Sequence, residues 1–215
     1  MLLEESEENK KIAGSVQHLI DDIANNGFGT IQSFLNFSEV IALKKVATDA
    51  YQNEVMKPAG IGKSNNFRIE ESIRGDYIKW IEKQNSSSAT LNFLKKISIL
   101  KDELKQGLFL SIRDIECHFA IYPSGSFYKK HIDQHHNTQS RLLTFVCYLN
   151  ESWIPSYGGA LRAYHEVGNV EKYTDIYPEC GKLVCFRSDI IEHEVLPVYT
   201  ERYSITGWML DRLIL

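Results

Sequence analysis

A chain of 215 residues with 43% hydrophobic and 24% charged residues has the composition of an ordinary soluble globular protein, and it is long enough to bury a substantial core. Its formal net charge of -4 gives no overall electrostatic footprint for a nucleic-acid partner. No apolar run reaches bilayer-spanning length, and the opening MLLEESEENKK lacks the basic and apolar runs of a secretory signal, so the expectation is a cytoplasmic protein without membrane attachment.

In chain order, apolar spacing first predicts a helix over 7–24, carried by Ile12, Val16, Leu19, Ile20 and Ile23 and stopped at Asn25-Asn26-Gly27. A short strand follows over 29–35. Ser38 is placed to cap a second helix over 39–54. The Gly-, Pro- and Asn-rich stretch 57–66 reads as a loop, 67–80 as a strand pair, and 90–104 as a third helix stopped near Gly107. Beyond residue 116 the pattern turns to β: short runs at 117–122, 128–133, 142–149, 160–164, 174–176, 182–186, 193–198 and 202–210, many separated by glycine or proline turns. These elements predict a mainly β protein, a double-stranded β-helix (jelly roll or cupin-like) packed against N-terminal α-helices. We expect one domain over 1–215, with 1–115 mainly helical support and 116–215 the β core. The four cysteines, Cys117, Cys147, Cys180 and Cys185, form no CxxC pair and read as reduced buried thiols, a Cys180–Cys185 bridge being the one pairing left open.

Within the β half, His131-Ile132-Asp133 places two metal-ligating side chains two residues apart. On a strand they share a face, separated by roughly 6.6 Å along the chain. His193, on another run, can approach from a second strand. Two histidines and one carboxylate are the set that holds non-haem Fe(II) on one face and leaves positions open for chemistry. HxD alone is weak evidence. His135 and His136 read as solvated loop residues, His118 as a buried strand histidine, and His165 as a strand-end residue. A zinc hydrolase and a catalytically silent cupin-like binder remain open on these ligands.

Arg202 adds a separate clue. Alternation puts Arg202, Ser204, Thr206 and Trp208 on one face, with Tyr203, Ile205 and Met209 on the other. A buried cation needs an anion. A co-substrate carboxylate would serve, whereas Glu192, Glu194 and Glu201 are exposed neighbours and poorer partners. Tyr148, on a face with Thr144 and Val146, could add a phenol hydrogen bond to the same carboxylate, and Tyr122 could point into the same pocket.

HID at 131–133, IEHEV at 191–195 and RYSITGW at 202–208 resemble the Fe(II)/2-oxoglutarate-dependent oxygenases. YPSGSFYKKHID (122–133), RLLTFVCYLNESW (141–153), GGALR (158–162) and Arg74-Gly75-Asp76 with Ile78 and Trp80 resemble, more narrowly, the prolyl hydroxylases related to the hypoxia-inducible-factor enzymes and their bacterial relatives. The resemblance runs from about Phe28 to Leu210. It implies that His131, Asp133 and His193 hold Fe(II), with 2-oxoglutarate and O2 as co-substrates and ascorbate as reductant. It implies oxidative decarboxylation to succinate and CO2 coupled to hydroxylation of a prolyl residue in a protein, elongation factor Tu in bacterial relatives or a transcription factor in animal ones. Arg202 would clamp the distal carboxylate of 2-oxoglutarate with Tyr148, and Tyr122 and Thr206 would line that pocket. Arg74, Asp76, Tyr128, Arg141 and Trp208 would flank the protein-substrate groove, and the loop 57–76 would close over it. The AlkB-type nucleic-acid demethylases carry a second arginine six positions after the first, where this chain has Trp208. A 2-oxoglutarate oxygenase acting on a free amino acid or other small molecule is the main alternative.

Overall fold

The fold is that of a computed structural model, which describes residues 2–60, 68–70, 72–134, 140–168 and 170–214, with side chains from Gly14 onward. Three helices, α1 (Leu2–Asn26), α2 (Phe37–Gln52) and α3 (Ser88–Gly107), are interleaved with three short strands, β1 (Phe28–Ile31), β2 (Lys57–Pro58) and β3 (Tyr77–Trp80). Then come β4 (Asp114–Tyr122), β5 (Tyr128–His131), β6 (Arg141–Tyr148), β7 (Leu161–Val167), β8 (Val170–Ile176), β9 (Leu183–Arg187), β10 (His193–Val195) and β11 (Arg202–Leu210). All eight runs expected beyond residue 116 are strands, and no helix among the described residues is long and apolar enough to cross a membrane.

Several boundaries differ from expectation for identifiable reasons. The cap of α2 is Asn36, not Ser38: Asn36 Oδ1 accepts from the Glu39 N–H at 3.0 Å, and Glu39 Oε2 accepts from the Asn36 N–H at 2.8 Å. Glu39 stands three residues after Asn36, the spacing that closes this reciprocal box. The first strand stops at Ile31 and turns, with Ser33 in the left-handed region at φ 54. Of the expected 67–80 strand pair only β3 is a strand among the described residues; its partner β2 lies in the stretch 57–66 expected to be a loop, where Lys57 and Pro58 pair with Ile78 and Tyr77, and residues 61–67 and 71 lie outside the described residues. All four cysteines are free, so Cys180 and Cys185 are not bridged.

The strands form two antiparallel sheets, one in the order β1-β9-β6-β11-β4-β3-β2 and one in the order β5-β10-β7-β8. The central strand β11 shows why they stack. Tyr203, Ile205 and Met209 lie in register with Ile121, Phe119 and Ile115 on β4, and this face packs on Leu19, Leu43, Phe93 and Ile97 of the helices. Gly207 on the same face leaves no room for a side chain, since a Cβ there would meet Cys117 Cβ at 2.6 Å and the Phe145 ring. The opposite face carries Arg202, Ser204, Thr206 and Trp208, in register with Tyr122, Ala120 and His118 on β4 and with Tyr148, Val146 and Thr144 on β6. It turns toward the smaller sheet, where Val146, Leu161, Ala163 and Phe186 close one part of the gap and Ala120, Val195 and Val198 another. A cleft of about 1160 Å³ remains between them.

Candidate active site

His131 and His193 are cross-strand partners of β5 and β10 in the smaller sheet, with ring centroids 4.2 Å apart. β5 ends at His131, so Asp133 sits in a bend beyond the strand rather than two positions along it. The bend still delivers the carboxylate: Asp133 Oδ1 is 3.6 Å from His131 Nε2, and Oδ2 is 3.8 Å from His193 Nε2. One ligand atom from each residue lies within 4.8 Å of the others. Ligands roughly 2.1 Å from one ion at right angles stand about 3 Å apart, so the carboxylate–imidazole distances of 3.6 and 3.8 Å are within an ångström of that spacing.

The donor chemistry fits a divalent metal. His131 Nδ1 bonds the Lys129 carbonyl at 2.7 Å and His193 Nδ1 the Ile191 carbonyl at 3.2 Å, which directs both Nε2 atoms to the shared point. Burial, with the His131 charge beside it, pushes His193 down to about 4 against the pull of Asp133, so its imidazole is neutral at neutral pH, the form that ligates. Burial alone would raise Asp133. The two neighbouring histidines, with the hydrogen bond from Thr144, outweigh it and hold the carboxyl well below the usual carboxylate range. Thr144 Oγ1 donates to Asp133 Oδ2 at 2.7 Å and accepts in turn from Ser188 Oγ at 2.8 Å. His135 and His136 lie outside the described residues.

Arg202 is 1% exposed and forms no ion pair among the described residues; its Nε donates to the Gly159 carbonyl at 3.0 Å. The three neighbouring acids are engaged elsewhere: Glu201 accepts from the Tyr203 hydroxyl, Glu192 pairs with Lys130, and Glu194 accepts from the Tyr164 hydroxyl. Its guanidinium carbon is 4.9 Å from the Tyr148 ring centroid and 5.0 Å from that of Tyr122. The Tyr148 hydroxyl and the Ser204 hydroxyl, on residues paired between β6 and β11, are buried and find no hydrogen-bond partner among the described residues. Burial raises the Tyr148 pKa, so the phenol keeps its proton to donate. Each buried unsatisfied group costs about 1–3 kcal/mol. A cation and two hydroxyls left open on one wall therefore fit a carboxylate that accepts from all three.

Thr206 joins Arg202 and the triad in lining the cleft, which extends to Trp80, Thr90 and Trp208. Arg141 stacks over Trp208 at 3.5 Å and pairs with Glu116 at 2.8 Å. Arg74 and Asp76 pair with each other at 2.6 Å, Asp76 being fully buried, and Arg74 lies over the Tyr128 ring at 4.3 Å. The cleft is lined by the triad, Arg202, Tyr122, Thr206, Arg74, Tyr128, Arg141 and Trp208; Tyr148 lies behind them beside Arg202, and Asp76 meets Arg74 rather than the opening. Ser204, Thr144 and Ser188 were not singled out. Ser204 and Thr144 share inward faces with Arg202 and Tyr148, a signal that was available. Ser188 follows β9 and meets Thr144 only through the tertiary fold.

A family model for the 2OG-Fe(II) oxygenase superfamily matches residues 117–210, the segment holding all three triad residues and Arg202. The crystal structure of a Pseudomonas putida prolyl-4-hydroxylase superposes with a TM-score of 0.81 at 37% identity, covering 92% of this chain and 100% of that one. A Trichoplax adhaerens prolyl hydroxylase in complex with a hypoxia-inducible-factor oxygen degradation domain peptide superposes at 0.78 with 28% identity, covering 96% of this chain and 92% of that one. The hypoxia-inducible factor prolyl hydroxylase of Caenorhabditis elegans is 28% identical over 207 residues, 91% of this chain. The chain spans only 28% of that worm protein's length.

Proposed function

We propose a reaction for this chain from the premise that it belongs to the 2OG-Fe(II) oxygenase superfamily. The chain hydroxylates a prolyl residue of a protein substrate, consuming O2 and 2-oxoglutarate and releasing succinate and CO2. The observation that carries the reading is the buried Arg202, which lines the cleft that holds the His131–Asp133–His193 cluster, forms no ion pair among the described residues, and stands beside the buried hydroxyls of Tyr148 and Ser204. A zinc hydrolase needs no such carboxylate clamp.

His131, Asp133 and His193 would hold Fe(II). Arg202 and Tyr148, with Ser204, would bind the distal carboxylate of 2-oxoglutarate, while Tyr122 and Thr206 line that pocket. Bound iron and 2-oxoglutarate together would convert O2 into the oxidant that attacks the substrate C–H bond. The chain's own part is to orient and exclude. Two carbonyl-anchored imidazoles and a hydrogen-bonded carboxylate fix three positions, and the apolar walls of Val146, Leu161 and Val195 keep water from the reacting end. The cleft reaches the exposed ring of Trp80, a course suited to a segment of polypeptide. Arg141 and Trp208 stand along that course. Residues 1–215 would act as one catalytic domain, in the cytoplasm, with ascorbate returning stray oxidised iron to Fe(II).

The test is turnover by the purified chain with Fe(II), 2-oxoglutarate, ascorbate and proline-containing protein fractions. Succinate should form with one added oxygen mapped by mass to a proline, and His193→Ala should lose both metal binding and turnover. Turnover with a free amino acid in place of protein would replace this substrate class with the small-molecule one.

A further inference from the structure

We propose that Arg74 and Asp76 serve the metal centre as positioning residues, holding His131 through the ring of Tyr128, rather than serving as contacts for substrate. The inference rests on the metal-site reading above and assigns Arg74, Asp76 and Tyr128 a different task within it.

The Tyr128 ring stacks on the His131 imidazole, centroids 3.7 Å apart and planes within 19°. Arg74 covers the same ring at 4.3 Å. Its guanidinium has little freedom: Nε donates to Asp76 Oδ1 at 2.7 Å and Nη2 to Oδ2 at 2.6 Å, the two-pronged geometry that fixes a plane as well as a charge. The Asp76 side chain is fully buried, so it offers no edge to a passing peptide, and Arg74, 13% exposed, spends Nε and Nη2 on Asp76 and turns Nη1 to the Gly60 carbonyl at 3.5 Å. Burial would lower the Arg74 pKa, but Asp76 beside it raises it instead, so the cation persists.

The backbone repeats the link. The Lys129 N–H donates to the Ile73 carbonyl at 2.9 Å, the Gly75 N–H to the Phe127 carbonyl at 3.1 Å, and Ser126 Oγ to the Gly75 carbonyl at 3.1 Å. Arg74 and Tyr128 face each other across an isolated antiparallel bridge. Residues 73–76 are therefore laid along β5 as an added edge, and its last residue is the ligand. The imidazole is then held in two directions. The Lys129 carbonyl fixes its Nδ1, and the Tyr128 ring fixes the tilt of its plane. Loss of the stack frees rotation about the second and should cost about 10–100-fold in metal affinity, the usual effect of removing a ligand's support.

The experiment titrates Co(II) into the metal-free full chain without 2-oxoglutarate or protein substrate, reading visible absorption for affinity and ligand field, with circular dichroism to check the fold. The set is wild type, Tyr128→Phe, Tyr128→Leu, Arg74→Lys and His193→Ala. Arg74→Lys keeps a cation for Asp76 and so preserves folding, but it cannot form the planar layer. The expected result is wild-type affinity and spectrum for Tyr128→Phe, about tenfold weaker binding with an altered spectrum for Tyr128→Leu, and an intermediate loss for Arg74→Lys. Wild-type binding by both Arg74→Lys and Tyr128→Leu would overturn the proposal and return these residues to substrate contact. Equal binding by wild type and His193→Ala would instead overturn the metal site itself, which separates the two failures.

Discussion

At the scale of single residues, the cleft holds a third histidine, apart from the two candidate ligands. His118 lies on β4 between Trp80 and Trp208, with ring centroids 5.1 and 5.6 Å away. Burial, reinforced by Arg74 and Arg141, pushes its pKa from 6.5 down to about 4, although Asp76 and the Phe119 carbonyl pull the other way. The unfolded chain therefore takes up this proton near pH 6.5 and the folded chain only near pH 4. The folded state loses ground as pH falls through that window and gains nothing from His118 above it. At pH 5 the loss from this one group is on the order of 2 kcal/mol. Urea unfolding at pH 7.5 and at pH 5 should show His118→Gln losing less stability between the two pH values than wild type, by about that amount. Equal losses would mean that His118 titrates normally and is not sealed in the wall.

At the scale of elements, the strand runs beyond residue 116 were legible because a two-residue alternation with glycine turns has few other realisations. β11 matches its expected bounds residue for residue, and its split into an Arg202 face and a Tyr203 face is the one the structure shows. What local pattern could not settle were choices between equivalent chemistries. Asn36 and Ser38 are both good caps, and only the position of Glu39 decides for Asn36. Asn36→Ala should cost about 1 kcal/mol in thermal or urea unfolding. Ser38→Ala, which removes only a hydroxyl donating to Asn36 Oδ1, should cost less; the reverse order would assign the cap to Ser38. The same limit explains Asp133. A two-residue strand period predicts the convergence of Asp133 with His131, but the strand ends at His131 and a bend held by Thr144 delivers the carboxylate instead. Arg74-Gly75-Asp76 was legible as a motif but not as a closed ion pair, because the partner that fixes its role, Tyr128, is distant in sequence.

At the scale of the whole molecule, the two sheets divide the site between them. The smaller sheet supplies His131 and His193 from β5 and β10, whereas the larger one supplies Arg202 and Ser204 from β11 and Tyr148 from β6. Asp133 joins the halves, following β5 but hydrogen-bonded to Thr144 of β6. A metal alone would tie together the small-sheet ligands and that one bridge. A dicarboxylate reaching from the metal to Arg202 would cross the gap and bind the sheets to each other. Stability should then rise in two steps. A ligand at one hundred times its dissociation constant adds about 2.7 kcal/mol to a protein that binds it only when folded, or about 5–10 °C in melting temperature for a chain of this size. Mn(II) should give a first rise, and 2-oxoglutarate added under nitrogen a second that appears only with the metal present. Arg202→Ala should keep the first and lose most of the second, because a charged hydrogen-bonded contact contributes about 1.5–3 kcal/mol. The metal-only shift serves as the internal check that the variant is folded with its triad intact. A full second rise in Arg202→Ala would mean that the carboxylate is held elsewhere in the cleft, and the case for a clamp shared between the two sheets would fall with it.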